Sequence, residues 1–234
     1  MNSTTTRGPA PARAQQAQET LDDLRGARSA AFAGVAFVVL TIAGTFAPGA
    51  APASDASTAE IAAYFRDHSG AIKAQLLLGG LGIAALMWWF GALWRLMSRA
   101  EGERPRLAIV AAVSLASALT LAIMNGVANA TAAQRAASPE TTHLLYTLSF
   151  VVIAAAGFGL GIFLTAASLV TYRSKLAPRW ISVVGFAAAI AFVVGGLGTV
   201  SDGSTVNAIG LVAFLIWCVW ILAMSTVMWR DAPT

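Results

Sequence analysis

Six long apolar runs, separated by short polar stretches, dominate the chain. They cover about residues 30–47, 74–97, 107–130, 144–172, 180–200 and 208–229. A helix rises about 1.5 Å per residue, so roughly 20 apolar residues cross about 30 Å of hydrocarbon. All six runs approach or exceed that length, the first being the shortest and the fourth the longest. None alternates apolar and polar positions as a membrane strand would. A helix satisfies its own backbone hydrogen bonds where no water is present. The pattern therefore predicts an all-α, polytopic transmembrane helix bundle with six spans, over residues 29–230. Residues 1–28 are polar and read as a disordered cytoplasmic tail.

Between the first two runs the pattern changes to a helical stripe. Ser57 and Glu60 have the spacing of a capping box. Ile61, Tyr64, Phe65 and His68 then fall on one face, and Gly70 can end the turn. This predicts a short amphipathic helix in the first outer loop, lying on the outer membrane surface, as a lid over the helix ends or, more specifically, a gate or docking surface.

Composition agrees with lipid as the solvent. Of 234 residues, 57% are hydrophobic and 11% charged, with mean hydropathy +0.70. An ordinary soluble domain is about 25% charged. The single cysteine, Cys218, excludes an intramolecular disulfide and any CxxC redox or zinc pattern.

The formal charge of +4 reads as a topology signal, because basic residues gather at span ends. Arg7, Arg13, Arg25, Arg28, Arg95, Arg99, Arg104, Arg106, Arg173, Lys175, Arg179 and Arg230 fall on one side, and Arg66, Lys73 and Arg135 on the other. The positive-inside rule puts the larger group in the cytoplasm, with both termini. Trp94, Trp180 and Trp229 stand beside this girdle as interfacial anchors do. The pattern offers no aromatic-interleaved basic patch for nucleic acid. Ala51-Pro52-Ala53 resembles a signal-peptidase site, but the preceding apolar run exceeds the 7–15 or so residues of a signal peptide, so it is read as a span.

Candidate chemistry is sparse. The spans hold no Asp, Glu, Lys or His at mid-membrane depth, and the basic residue within them is Arg95, near one end. Proton relays, ion-coupled carriers and voltage sensors use intramembrane ionisable groups. His68 and His143 lie outside the six spans, so haem ligation between helices is not expected, and the sequence implies no metal and no cofactor. Polar side chains gather at the outer end. Asn125 and Asn129 share a helix face. Tyr146, Thr147 and Ser149 open the fourth span, and Thr45, Thr199, Asp202 and Asn207 belong to the same level. Asn125, Asn129, Tyr146 and Asp202 form the candidate ligand-binding set, as a vestibule for a small polar ligand or lipid headgroup. Interhelical hydrogen bonding with ordinary loop polarity is the simpler explanation of the same residues. Acid–base candidates at that level are Asp67, His68, Glu140, His143 and Asp202.

Small residues recur at packing intervals: Gly157 and Gly161 in the fourth span, and Ala118, Ala122, Gly126 and Ala130 in the third. Gly79-Gly80-Leu81-Gly82 and Gly195-Gly196-Leu197-Gly198 are identical tetrapeptides, either a close crossing of the second and fifth spans or chance. Trp88, Trp89, Trp217 and Trp220 lie deeper than the interface, as core packing, lipid-facing bulk or the wall of an apolar pocket.

Leu176-Ala177-Pro178-Arg179-Trp180-Ile181, Ala59-Glu60-Ile61-Ala62-Ala63-Tyr64-Phe65 and Leu93-Trp94-Arg95 together resemble motifs of a family of uncharacterised multi-pass membrane proteins of actinobacteria. The resemblance covers residues 30–229 and implies a six-helix bundle in a bacterial plasma membrane, with no assigned activity. Three functional readings follow. The first is a non-enzymatic, lipid-interacting scaffold or accessory subunit, with membrane lipids and a second copy or a membrane protein as partners. The second is a channel for a small neutral or apolar solute, entering at Asn125 and Asn129. The third is an enzyme acting on a lipid headgroup through Asp202, His143 or His68. A water-wide path would favour the second, convergence of Asp202 with a histidine the third, and a solid bundle with an extended apolar surface the first.

Overall fold

The computed structural model describes residues 10–53, 56–134, 138–197 and 204–230, with side chains from Gly26 in the first helix and from Ile209 in the last. Seven helices occupy them: α1 (Ala10–Phe46), α2 (Thr58–Asp67), α3 (Ser69–Glu101), α4 (Arg106–Ala132), α5 (Pro139–Ser174), α6 (Arg179–Gly196) and α7 (Ser204–Arg230). Every helix but α2 is long and apolar enough to cross a membrane.

The apolar runs mark the lipid-compatible stretches, and the helices outlast them. Helix α1 begins at Ala10, inside the segment expected to be a disordered tail. Ala, Gln, Glu, Leu and Arg over residues 10–25 are good helix formers, so the helix of the first span continues into polar sequence. Helix α5 has 36 residues, about 54 Å of rise, and overhangs the bilayer thickness. The α3–α4 turn is closed by Glu101. Its carboxylate accepts from the backbone N–H groups of Leu107 (3.0 Å) and Ala108 (2.8 Å), supplying the cap that Pro105 cannot. Gly102, at φ 73°, makes the reversal possible.

Helix α2 carries the expected capping box: Ser57 Oγ accepts from Glu60 N, and the Glu60 carboxylate accepts from Ser57 N at 2.9 Å. Its end differs from expectation. His68 is the C-cap, α3 starts at Ser69, and Gly70 lies in the first turn of α3 instead of terminating α2. The face bearing Ile61 and Phe65 is buried against Ile72 of α3, Ala132 and Ala133 at the end of α4, and Tyr146 of α5. The helix thus covers the overhanging ends of its neighbours.

The six long helices form a closed ring, each packing on its chain neighbour and α7 returning to α1. Adjacent helices are antiparallel. Along α1 and α3, for example, Gly44 meets Leu78, Gly34 meets Trp89, and Gly26 meets Arg95. The ring therefore divides into three hairpins, α1–α3, α4–α5 and α6–α7, and these share one burial register. In the second helix of each, Trp89, Phe163 and Trp220 correspond. Shifting all three by the same step leaves burial unchanged at Leu86/Leu160/Trp217, Ala92/Ala166/Ala223, Leu93/Ala167/Met224 and Met97/Thr171/Met228. Ten positions after the central ring, all three helices carry arginine: Arg99, Arg173 and Arg230. In the first helices Gly34, Ala111 and Gly185 correspond, followed by Phe37/Ser114/Ala188 and Val38/Leu115/Ala189, all buried. Phe32, Ile109 and Val183 correspond on the outside, all exposed. The bundle is a pseudo-threefold array of helical hairpins.

Candidate functional site

At the pseudo-threefold axis stand three rings of 0% exposure: Trp89, Phe163 and Trp220. Trp220 meets Trp89 edge-on at 5.9 Å and Phe163 at 6.0 Å between centroids. Such pairs add about 0.5–1.5 kcal/mol beyond burial. Phe90 extends the cluster from Phe163 to Trp94, and Trp217 packs on Phe37 and Phe192. The ring interior is thus filled where a conducting path would need water.

Glycines on the first helices admit these indoles. A Cβ on Gly34 would collide with Ser225 Oγ and stand 2.8 Å from Trp89 Nε1, so only glycine lets the pair approach. Trp89 Nε1 then donates to Ser225 Oγ at 3.0 Å, satisfying a buried N–H. Gly185 likewise leaves room for Ser168 Oγ and Trp220 Nε1, but there the buried hydroxyl and indole N–H form no hydrogen bond. Ser225 and Ser168 occupy equivalent positions, five residues after Trp220 and Phe163. Close approach also explains the GxxxG of α5: a Cβ on Gly157 would meet the Phe192 carbonyl oxygen, and one on Gly161 the Val193 side chain, both at 2.7 Å. The two identical tetrapeptides meet different surroundings. Gly79 and Gly80 face open space, while Gly195 abuts Gly210 of α7 and Gly196 abuts Phe158 of α5.

Of the candidate ligand-binding residues, Asn125, Asn129 and Tyr146 are described, and each is engaged with backbone. Asn125 Nδ2 donates across the α4–α5 interface to the Ser149 carbonyl (2.8 Å), and Asn129 Nδ2 to the Asn125 carbonyl (3.0 Å). Tyr146 is buried, and its hydroxyl donates to the Pro52 carbonyl at 2.6 Å, pinning the first loop to α5. Tyr64 donates to the Pro48 carbonyl at 3.4 Å, and burial raises its phenol pKa. His68 stacks on Tyr64 at 4.6 Å and places Nδ1 3.0 Å from the Tyr64 carbonyl. Asp67 and Glu140 are exposed and His143 is half-buried. Asp202 and Thr199 lie outside the described residues, as does the side chain of Asn207. Among the described residues, no group of three His, Cys, Asp or Glu could hold a metal ion.

At the opposite, arginine-bearing end, Arg28 lies over the Trp229 ring at 5.6 Å and Arg179 over the Tyr172 ring at 5.9 Å. Between α1 and α3 a lateral groove of about 290 Å³ opens there, with Ser29, Trp88, Gly91 and Arg95 on its walls. Sequence reasoning missed this groove. It also left Trp88 and Trp89 undivided: Trp88 is 66% exposed and donates to Ser29 Oγ at 3.2 Å, while Trp89 is the axial ring. The shared Trp/Phe and Arg spacing of the three second helices was the available signal.

A ring of six membrane-length helices, filled at its axis and apolar around its perimeter, defines a multi-pass membrane helix bundle. The chain belongs to the family described as Domain of unknown function (DUF4386), whose profile it matches over residues 32–225. No curated protein and no solved structure matches it.

Proposed function

We propose that this chain is a non-enzymatic, lipid-interacting scaffold or accessory subunit of a bacterial plasma membrane, with both termini in the cytoplasm. The observation that carries the reading is the aromatic plug: Trp89, Phe163 and Trp220 close the axis of the ring, while Phe32, Val39, Trp88, Ile109, Val183 and Ile190 face outward. A facilitator would need a polar or open axis. A headgroup enzyme would need convergent acid–base groups. His68 is instead stacked on Tyr64, and Asn125 and Tyr146 already serve backbone carbonyls. Sidedness rests on the arginines that end α3, α5 and α7.

The test pairs two measurements. Proteoliposomes holding the chain should pass glycerol no faster than empty vesicles, and gentle purification from the native membrane should retain lipids or a membrane protein visible by mass spectrometry. Solute flux well above empty vesicles would overturn the scaffold reading in favour of a facilitator. For sidedness, cysteines replacing Arg104 and Lys73 should label from opposite faces of the membrane, Arg104 from the cytoplasm.

A further inference from the structure

Two connections, α3–α4 and α5–α6, join the three hairpins, both at the arginine-bearing end. The shared register pairs their residues. Twelve positions after Trp89, α3 has Glu101; twelve after Phe163, α5 has Lys175. A carboxylate in one turn is thus an ammonium in the other. The α3–α4 turn carries its own anion, since Glu101 caps the N–H groups of Leu107 and Ala108. The α5–α6 turn has no such group. Residues 141–201 contain no Asp or Glu, and the N-cap of α6, Pro178, provides no side-chain cap. Ser182, at the register of Ala108, adds a buried hydroxyl with no hydrogen-bond partner to the first turn of α6. Three exposed cations, Arg173, Lys175 and Arg179, occupy the turn, and none pairs with a carboxylate among the described residues. Lys175 also stands at φ 56°, where the counterpart turn uses Gly102 at φ 73°. Glycine is the residue suited to that backbone, so the lysine is there at a cost to the turn.

From this charge reversal we infer that the α5–α6 turn binds the phosphate of an anionic phospholipid, with Arg173, Lys175 and Arg179 as its donors. The inference deepens the lipid-interacting reading and rests on it. The external phosphate takes the part that Glu101 plays in the other turn. Arg179 lies over the Tyr172 ring at 5.9 Å, a contact that leaves guanidinium N–H groups for phosphate oxygens. The same contact folds Arg179 back onto the last turn of α5, where Arg173 stands. Behind the cations, the first N–H groups of α6 have no partner within the helix and favour an anion. A soluble phosphate would meet the charge, but the flank of α6 selects a lipid. Below the cations Trp180, Val183 and Ile190 form an outward apolar stripe, each more than half exposed. Cations at the helix end and apolar surface along its side match the headgroup and the chains of one phospholipid.

The experiment is native mass spectrometry of the full detergent-purified chain, titrated with dioleoylphosphatidylglycerol and, separately, dioleoylphosphatidylcholine. Wild type should prefer phosphatidylglycerol. Arg173→Gln and Lys175→Gly should each cut that preference about fivefold, the share of one cation near a membrane surface. Lys175→Gly should also raise the melting temperature, since glycine suits φ 56°. A fall in both quantities would mark Lys175 as structural and overturn the site. Lys175→Glu gives the turn the charge of Glu101 and should abolish the preference. Arg104→Gln, in the turn that holds its own anion, should leave it unchanged. Excess inorganic phosphate should not displace the lipid; displacement would assign the turn to free phosphate and overturn the lipid assignment. Equal retention of both lipids by wild type would refute the site while leaving the lipid-interacting reading standing. So would a preference that survives in folded Lys175→Glu, or one that falls as far in Arg104→Gln. Retention of no lipid by wild type would sink both.

Discussion

Gly157→Ala adds one methyl group where α5 crosses α6, and the structure fixes its effect. The new Cβ would stand 2.7 Å from the Phe192 carbonyl oxygen, 3.5 Å from Gly196 N and 3.6 Å from Gly196 Cα. Its neighbours are backbone, which cannot rotate away, so α5 and α6 must part locally by roughly 0.5–1 Å to restore ordinary contact. A gap of that size forfeits a quarter to a half of each dispersion contact along the seam, and overpacking typically costs about 1–3 kcal/mol. Alanine's higher helix propensity returns up to about 1 kcal/mol. The net expectation is a loss of about 1 kcal/mol and at most about 2. Gly80→Ala is the control: a Cβ there meets nothing within 4 Å, so only the propensity gain applies. The same chemical change should therefore shift stability in opposite directions at two glycines. Thermal unfolding of both variants in one detergent reads the difference. A Gly157→Ala protein as stable as wild type, or shifts of equal sign at both positions, would refute the packing argument.

Ser225→Ala removes the acceptor of the Trp89 indole and leaves a buried N–H unpaired, which should cost about 1–3 kcal/mol. A double-mutant cycle with Trp89→Phe, which has no N–H to strand, should recover most of that cost as coupling. Glu101→Ala deletes both caps on the first turn of α4 and should destabilise it by about 1 kcal/mol, seen as faster amide exchange at Leu107 and Ala108. The Glu60 carboxyl is held below its ordinary pKa by the Ser57 hydroxyl and then the Ser57 N–H. Its contribution to α2 is therefore complete above the unfolded carboxyl's pKa and is lost as pH falls through the lower folded value. Amide protection factors in α2, referred to the intrinsic exchange rate at each pH, should fall on acidification, and Glu60→Gln should flatten that profile.

Which parts of this fold were legible follows from which solvent each residue meets. The six apolar runs stood out because water rejects them, and the capping box of α2 because its two bonds are local in sequence. Orientation within the ring was hidden, since lipid is as apolar as a protein core and a lipid-facing leucine reads like a buried one. Trp88 and Trp89 make the point: adjacent and chemically identical, one faces outward and the other fills the axis. The candidate site was partly legible. The pairing of Asn125 and Asn129 followed from helical spacing, but the Ser149 carbonyl that takes the Asn125 amide belongs to another helix, and spacing within α4 cannot name it. Helix ends were hidden for a third reason. Side chains and backbone caps such as Glu101 decide them, whereas apolar periodicity reports only burial.

The family profile spans residues 32–225, so it takes in the apolar stretches of all three hairpins, and the hairpin ring belongs to the shared domain. Within that ring the second and third hairpins keep to a common plan: a small residue on the first helix, a large ring on the second, and a serine five positions later. The first hairpin departs from it twice. Helix α2 is inserted between α1 and α3 and covers one end of the bundle. At the other end Trp94 replaces the serine and packs on Phe90, while Ser29, Gly91 and Arg95 shape the groove. Stability alone accounts for the repeated plan, because three similar hairpins close a ring with no unpaired edge. Closing the ring requires neither Arg95 nor the smaller residues Ser29 and Gly91, which are peculiar to the first hairpin. Among the described residues the departures from the internal pattern gather on α1 and α3, while α4–α7 keep to the shared plan.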